Sequence, residues 1–188
     1  MEICFKPGAW STEELTYAYS HRFAETPDFY QEDDCIRNRV NESFRQGFDN
    51  VALVTKAPLS PGARITTRCA FEHYGAPLIL LAEQLDTDAQ GNFRFGNYLE
   101  IVLYEDGINV WQMWHQQGKV SWKKLMSVEF PVTAGEIHTL SVTTEADRLH
   151  IAADGQKMSL YVPQLYSRFH GGICACEGVD RFYDLTIV

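Results

Sequence analysis

Short runs of alternating apolar and polar residues, cut every 8–14 residues by turn formers, recur along this chain. Alternation of period two puts successive side chains on opposite faces of a strand, so the pattern demands sheets rather than helices. Eleven segments fit it: Val51–Lys56, Arg64–Glu72, Leu78–Leu85, Tyr98–Glu105, Ile108–His115, Val120–Leu125, His138–Thr144, Leu149–Ala153, Lys157–Val162, Gly172–Cys176 and Phe182–Val188. Asp106-Gly107 and Asp154-Gly155 are Asp-Gly pairs, the strongest short-range sign of a two-residue hairpin. No ten-residue stretch has clear helical periodicity. The best helix candidate is Thr12–Ser20, with Ser11 as cap and Glu14 three residues on.

The two hairpins assign faces. If Asp106-Gly107 is the turn, Glu105 faces Ile108, Leu103 faces Val110 and Ile101 faces Gln112. One face then carries Leu99, Ile101, Leu103, Val110 and Trp114, and reads as core. The other carries Tyr98, Glu100, Val102, Tyr104, Asn109, Trp111, Met113 and His115, too aromatic for a plain solvent face. Around Asp154-Gly155, Leu149, Ile151, Met158 and Leu160 share the inner face, with His150 and Ser159 outside.

The 188 residues, 45% of them apolar, suffice for one domain with a substantial core. No composition shift or linker divides 1–188. Residues 1–50 read as an irregular segment with the first strands, and 51–188 as the main sandwich. Sixteen Lys+Arg against 25 Asp+Glu leave a net charge of −9, which opposes binding to phosphate backbones or anionic membranes. No apolar run approaches a membrane-spanning length. Met1 is followed by neither a basic nor an apolar leader region, and five is an odd number of cysteines. Reduced thiols in a cytoplasmic protein are therefore expected.

Three stretches together resemble the concanavalin A-like lectin/glucanase superfamily: YLEIVLYEDGINVW (Tyr98–Trp111), GEIHTLSVTTEADRLHIAADGQKMSL (Gly135–Leu160) and GGICACEGVDRFYDLTIV (Gly171–Val188). The likeness spans roughly Ile65 to Val188. It implies an all-β, two-sheet antiparallel jelly-roll sandwich, whose concave sheet holds a sugar chain in many relatives. Glycoside hydrolases of this fold commonly carry Glu-x-Asp-x-Glu on one strand, two of whose carboxylates can serve as nucleophile and acid/base. That motif is absent here: Leu149 follows Glu145 and Asp147 where the third carboxylate belongs.

Sugars stack on aromatic rings and offer hydroxyls to polar side chains. Trp111 is the candidate platform, with Tyr98, Asn109 and Met113 as further ligand contacts. Glu100 and His115 are the acid/base candidates should a reaction occur, with Glu83 assisting. Arg68 and Glu72 share a face and would extend the groove, or form a cross-strand ion pair. The bland alternative for the whole aromatic face is a second core layer beneath the N-terminal segment. Asp86 and Asp88 begin a calcium-like loop that lacks its second half, so no cofactor is expected, and no metal at His170, Cys174 and Cys176. Three functions fit: a carbohydrate-binding protein, a glycan-active hydrolase or lyase on the same scaffold, or an interaction module that forms a homo-oligomer.

Overall fold

At Asp154-Gly155 both turn residues have positive φ, 46° and 87°, as a type I′ turn requires. The flanking strands pair Ala153 with Gln156, Ile151 with Met158 and Leu149 with Leu160, the register expected from sequence. The computed structural model describes residues 1–22, 24–39, 48–116, 119–163 and 165–188, with backbone only at 48, 49, 115, 116 and 119. The first strands are β1 (Glu2–Cys4), β2 (Leu15–Ser20), β3 (Tyr30–Gln31), β4 (Ile36–Arg37), β5 (Phe48–Thr55) and β6 (Arg64–Glu72). Next come β7 (Leu78–Ala82), β8 (Leu85–Thr87), β9 (Phe93–Phe95), β10 (Tyr98–Tyr104), β11 (Gly107–Gln116) and β12 (Lys119–Glu129). The chain closes with β13 (His138–Thr144), β14 (Arg148–Ala153), β15 (Gln156–Tyr161), β16 (His170–Glu177), β17 (Val179–Phe182) and β18 (Asp184–Ile187).

Two sheets result. The first runs β15-β14-β13-β6-β17-β4-β3, with β18 pairing both β6 and β1. The second runs β12-β11-β10-β7-β16-β5-β2-β9-β8. Only β2 and β9 pair in parallel among the described strands. The architecture is all-β, a two-sheet jelly-roll sandwich.

Alternation builds the core between the sheets. From the first sheet, Ile65, Cys69, Phe71, Leu140, Val142, Leu149 and Ile151 point inward; from the second, Leu53, Ile79, Leu81, Leu99, Ile101, Leu103 and Ile173 meet them. A smaller apolar cluster lies on the far face of the second sheet, where Ala52, Val54, Leu78, Leu80, Phe95, Tyr98, Met113 and Cys174 pack together. Part of that face is thus an apolar layer, as in the bland alternative, with the N-terminal strand β2 a member of the same sheet.

Leu78–Leu85 is split between β7 and β8, Phe182–Val188 is broken at Tyr183, and β9 is an added short strand; three further differences carry a physical reason. Thr12–Ser20 contains no helix: Leu15–Ser20 is strand β2. Tyr17 and Tyr19 lie side by side, rings 6.4 Å apart and nearly parallel, while Ala18 turns to the opposite face. Thr and Tyr favour a pleated surface, and period two satisfies both faces of this residue run. The β10–β11 turn is centred on Glu105-Asp106, because Tyr104 pairs with Gly107 and Leu103 with Ile108. Gly107 is instead the first residue of β11, at φ 130°; a Cβ there would lie 2.1 Å from Val128 O of the neighbouring β12. The glycine serves close approach rather than the turn. The pairing moves by two residues, an even number, so every side chain keeps its assigned face. Finally, β12 continues to Glu129, past the Leu125 where alternation ends, across a bulge opposite Val110 and Trp111.

Candidate functional site

Strands β10, β11 and β12 build the site as three rungs on the outer face of the second sheet. Val102, Asn109 and Ser127 form one rung, Glu100, Trp111 and Lys124 the next, and Tyr98, Met113 and Trp122 the third. Above them lies a groove of about 580 Å³. Glu100, Val102, Asn109, Trp111 and Trp122 line it from the hairpins. Phe71, Tyr74, Gly75 and Ala76 close one side from the end of β6 and its connection to β7, and Cys176 and Glu177 from β16. Arg22, in the turn after β2, reaches in from the N-terminal region.

The floor is rigid and aromatic. Tyr98 is fully buried and meets Phe95 edge-on at 4.9 Å and Trp122 at 6.2 Å. Met113 is also fully buried beneath the groove. Trp122 stays 39% exposed, and Trp111 is half-buried. At the first rung the Ser127 hydroxyl donates to Asn109 Oδ1 at 2.8 Å, which fixes the amide and aims its NH₂ outward.

One rim is a strained turn. Glu72 O accepts from Gly75 N at 2.9 Å, and the two central residues, His73 and Tyr74, have φ of 51° and 65°. Left-handed geometry costs about 1–2 kcal/mol at each non-glycine residue. The turn is held against Gly178, where a Cβ would come 2.3 Å from His73 O. It presents Tyr74, 60% exposed, at the groove edge. Strain that is conserved by packing at a rim positions a contact side chain.

Charge in the groove centres on Glu100, which is only 7% exposed. Burial pushes its carboxyl up to about 7; the Arg22 guanidinium and the Tyr98 hydroxyl pull it back, and the Glu177 carboxylate pushes it further up. Burial raises Glu177 as well, against the same Arg22. Tyr98 and Cys176 are also raised, first by burial and then by Glu100. Glu100 is thus a carboxyl that can hold or release a proton near neutral pH.

Of the residues singled out from sequence, Tyr98, Glu100, Asn109, Trp111 and Met113 come together here, the first and fifth as floor rather than surface. His115 lies on β11, but its side chain falls outside the described residues. Arg68 and Glu72 do not extend the groove. They sit on β6 of the other sheet, where Arg68 pairs with Asp184, and Glu72 Oε1 lies 3.3 Å from Arg181 Nη1. This is the ion-pair alternative, with partners on β17 and β18. Glu83 lies beyond β7 and accepts from Asn97 Nδ2 at 2.8 Å, away from the groove. Asp88 is consumed by its own loop. Burial would raise it, but hydrogen bonds from Asn92 and Gln90 N–H groups and from Arg94 Nε at 2.9 Å hold it down at about 2. Asp86 faces His21 at 3.7 Å instead of converging with Asp88 on a cation. His170 Nδ1 bonds Thr55 O at 2.7 Å, apart from Cys174 and Cys176.

Sequence reasoning assigned no role to Arg22, Tyr74, Trp122, Lys124 and Glu177. For Trp122 and Lys124 the signal was present, since alternation along Val120–Leu125 puts both on one face. For Arg22, Tyr74 and Glu177, which come from turns and a strand end, no periodicity exists to find them.

No protein-family model and no curated protein sequence matches this chain. Solved structures do resemble it. The β-agarase A of Zobellia galactanivorans superposes with a TM-score of 0.68 at 7% identity, over 100% of this chain and 89% of that one. The carbohydrate-binding module CBM66 of Bacillus subtilis gives 0.65 at 13% identity, over 93% and 94%. The exoplasmic/lumenal domain of VIP36, in its Ca²⁺/Man3GlcNAc-bound form, gives 0.60 at 12% identity, over 99% and 87%. The fold of this chain is therefore a jelly roll of the concanavalin A-like kind.

Proposed function

We propose that this protein binds a carbohydrate in the groove on the outer face of its second sheet. The observation that carries the reading is the pair of partly exposed tryptophans, Trp111 and Trp122, on adjacent strands above a buried aromatic floor. Such rings take the C–H faces of sugar residues, and Asn109, Ser127 and Glu100 stand beside them to take hydroxyls. The structural neighbours, an agarase, a carbohydrate-binding module and a glycan-bound exoplasmic/lumenal domain, support the same reading. The test is tryptophan fluorescence titrated with a panel of oligosaccharides, on wild type and Trp111→Ala. One sugar class should saturate the wild type, and the variant should lose at least about tenfold in affinity while keeping its melting transition. A wild type silent across the panel, or unchanged affinity in the variant, overturns the proposal.

A second reading has a specific observation behind it: Glu100 is a nearly buried acid with a value of about 7 inside the groove. That is what a general acid needs to protonate a glycosidic oxygen near neutral pH. Its strand neighbours on the groove face, Tyr98 and Val102, supply no second carboxylate. Under this reading Glu100→Gln retains sugar affinity and loses turnover of the bound sugar class; turnover at the wild-type rate removes Glu100 from any mechanism.

A further inference from the structure

Both tryptophans of the groove already carry a cation from the chain itself. The Arg22 guanidinium lies over the Trp122 ring, 4.7 Å from its centroid, and Lys124 Nζ lies over Trp111 at 4.8 Å. Lys124 is cross-strand from Trp111, so pairing brings it there. Arg22 follows the end of β2 and comes to Trp122 from a turn; its guanidinium over the ring makes a cation–π attraction that holds positive charge at this surface.

The rest of that attraction comes from carboxylates. Glu100, Glu105 and Glu177 line the groove, against Arg22 in its lining and Lys124 over Trp111, on a chain of net charge −9. Glu100 and Glu177 both feel the Arg22 charge, and both still have values above the ordinary carboxylate range. Burial raises both against the pull of Arg22, so a further cation placed before them would favour their ionised forms. A neutral sugar that stacks on either ring must move a cation off it. A sugar bearing an ammonium group replaces like with like. A uronate or sulfated sugar meets like charge where water is scarce and repulsion strong.

We infer that the groove selects cationic amino-sugar saccharides, whose ammonium group takes the place that Arg22 occupies over Trp122 and before Glu100 and Glu177. This deepens the carbohydrate-binding reading above and rests on it.

Three trisaccharides test it on the full chain: fully deacetylated chitotriose, its N-acetylated counterpart, and trigalacturonate. Tryptophan fluorescence follows each titration at neutral pH and low salt, where Glu100 is partly ionised. The first two share length and linkage and differ in charge. The deacetylated trimer should bind at least about tenfold more tightly than the acetylated one, the scale of a charge-assisted hydrogen bond. Glu100→Gln should shrink that ratio severalfold with the acetylated trimer little changed. Arg22→Gln, at an exposed turn position, should strengthen binding of the deacetylated trimer. Equal affinity of the two chitotrioses, or preference for trigalacturonate, overturns the inference and leaves carbohydrate binding standing. Silence toward all three also overturns it, and the broader sugar panel then decides the carbohydrate reading separately.

Discussion

At the scale of single residues, Glu100 is where folding and chemistry conflict. Its strand position on β10 is dictated by alternation, and the same alternation buries it beside Tyr98. A carboxyl that titrates at about 7 in the fold and at an ordinary 4.5 when unfolded destabilises the fold wherever it is ionised. The sign follows from proton binding. Below the unfolded value both states are protonated and no cost arises; the cost grows between the two values and is fully present above about pH 7. A displacement of that size corresponds to about 3 kcal/mol. Glu100→Gln should therefore stabilise the protein at pH 8 by about 1–3 kcal/mol, less whatever the buried amide loses in hydrogen bonding, and have little effect near pH 4.5. Denaturant unfolding at the two pH values checks this. A gain of equal size at both would show that burial of charge is not the cause.

At the scale of elements, the strands most legible in the sequence are those whose two faces differ. Arg64–Glu72 and His138–Thr144 appear with unchanged bounds because Ile65, Cys69 and Phe71, like Leu140 and Val142, are apolar on one side only. The hairpin at Asp154-Gly155 was legible to the residue, since two positive φ values leave few alternatives to that dipeptide. Where both faces are covered, the signal fades. Leu15–Ser20 has Tyr17 and Tyr19 facing the main core and Ala18 the second cluster, so its apolar residues lose their alternation, and a cap-like Ser11 then suggests a helix. The groove was legible in half: rungs from β10 and β11 followed from one register, right as to face though shifted by two. The parts that close it, Arg22, Tyr74 and Glu177, come from a turn, a strained loop and a strand end, whose placement depends on contacts distant in sequence.

At the scale of the molecule, both sheets contribute to a single inter-sheet core, in which Ile101 from β10 and Ile65 from β6 are both fully buried. Neither sheet keeps its inner apolar face covered without the other, so unfolding should be one cooperative event. Ile101→Ala removes buried volume at the centre of the second sheet and should cost about 2–5 kcal/mol. In that variant, tryptophan fluorescence, two of whose four reporters line the groove, and far-UV circular dichroism, which reports on all strands, should shift to the same lower midpoint. Separate midpoints would mean that the sheets unfold independently. Groove integrity is thereby tied to a core that meets the groove wall at Phe71.

The bulge in β12 has one more implication, concerning changes in chain length. Leu125 and Met126 are successive residues that both pack against the main core, while Lys124 and Ser127 on either side pair with groove residues of β11. Leu125 is therefore supernumerary to the ladder. Its deletion leaves Trp122, Lys124 and Ser127 facing the groove as before, whereas loss of one residue elsewhere between Trp122 and Val128 without closing the bulge turns part of the strand inside out. Within this hairpin, the sequence can shorten by a single codon at Leu125 and keep its sidedness, which makes that position the natural joint at which related chains would differ in length.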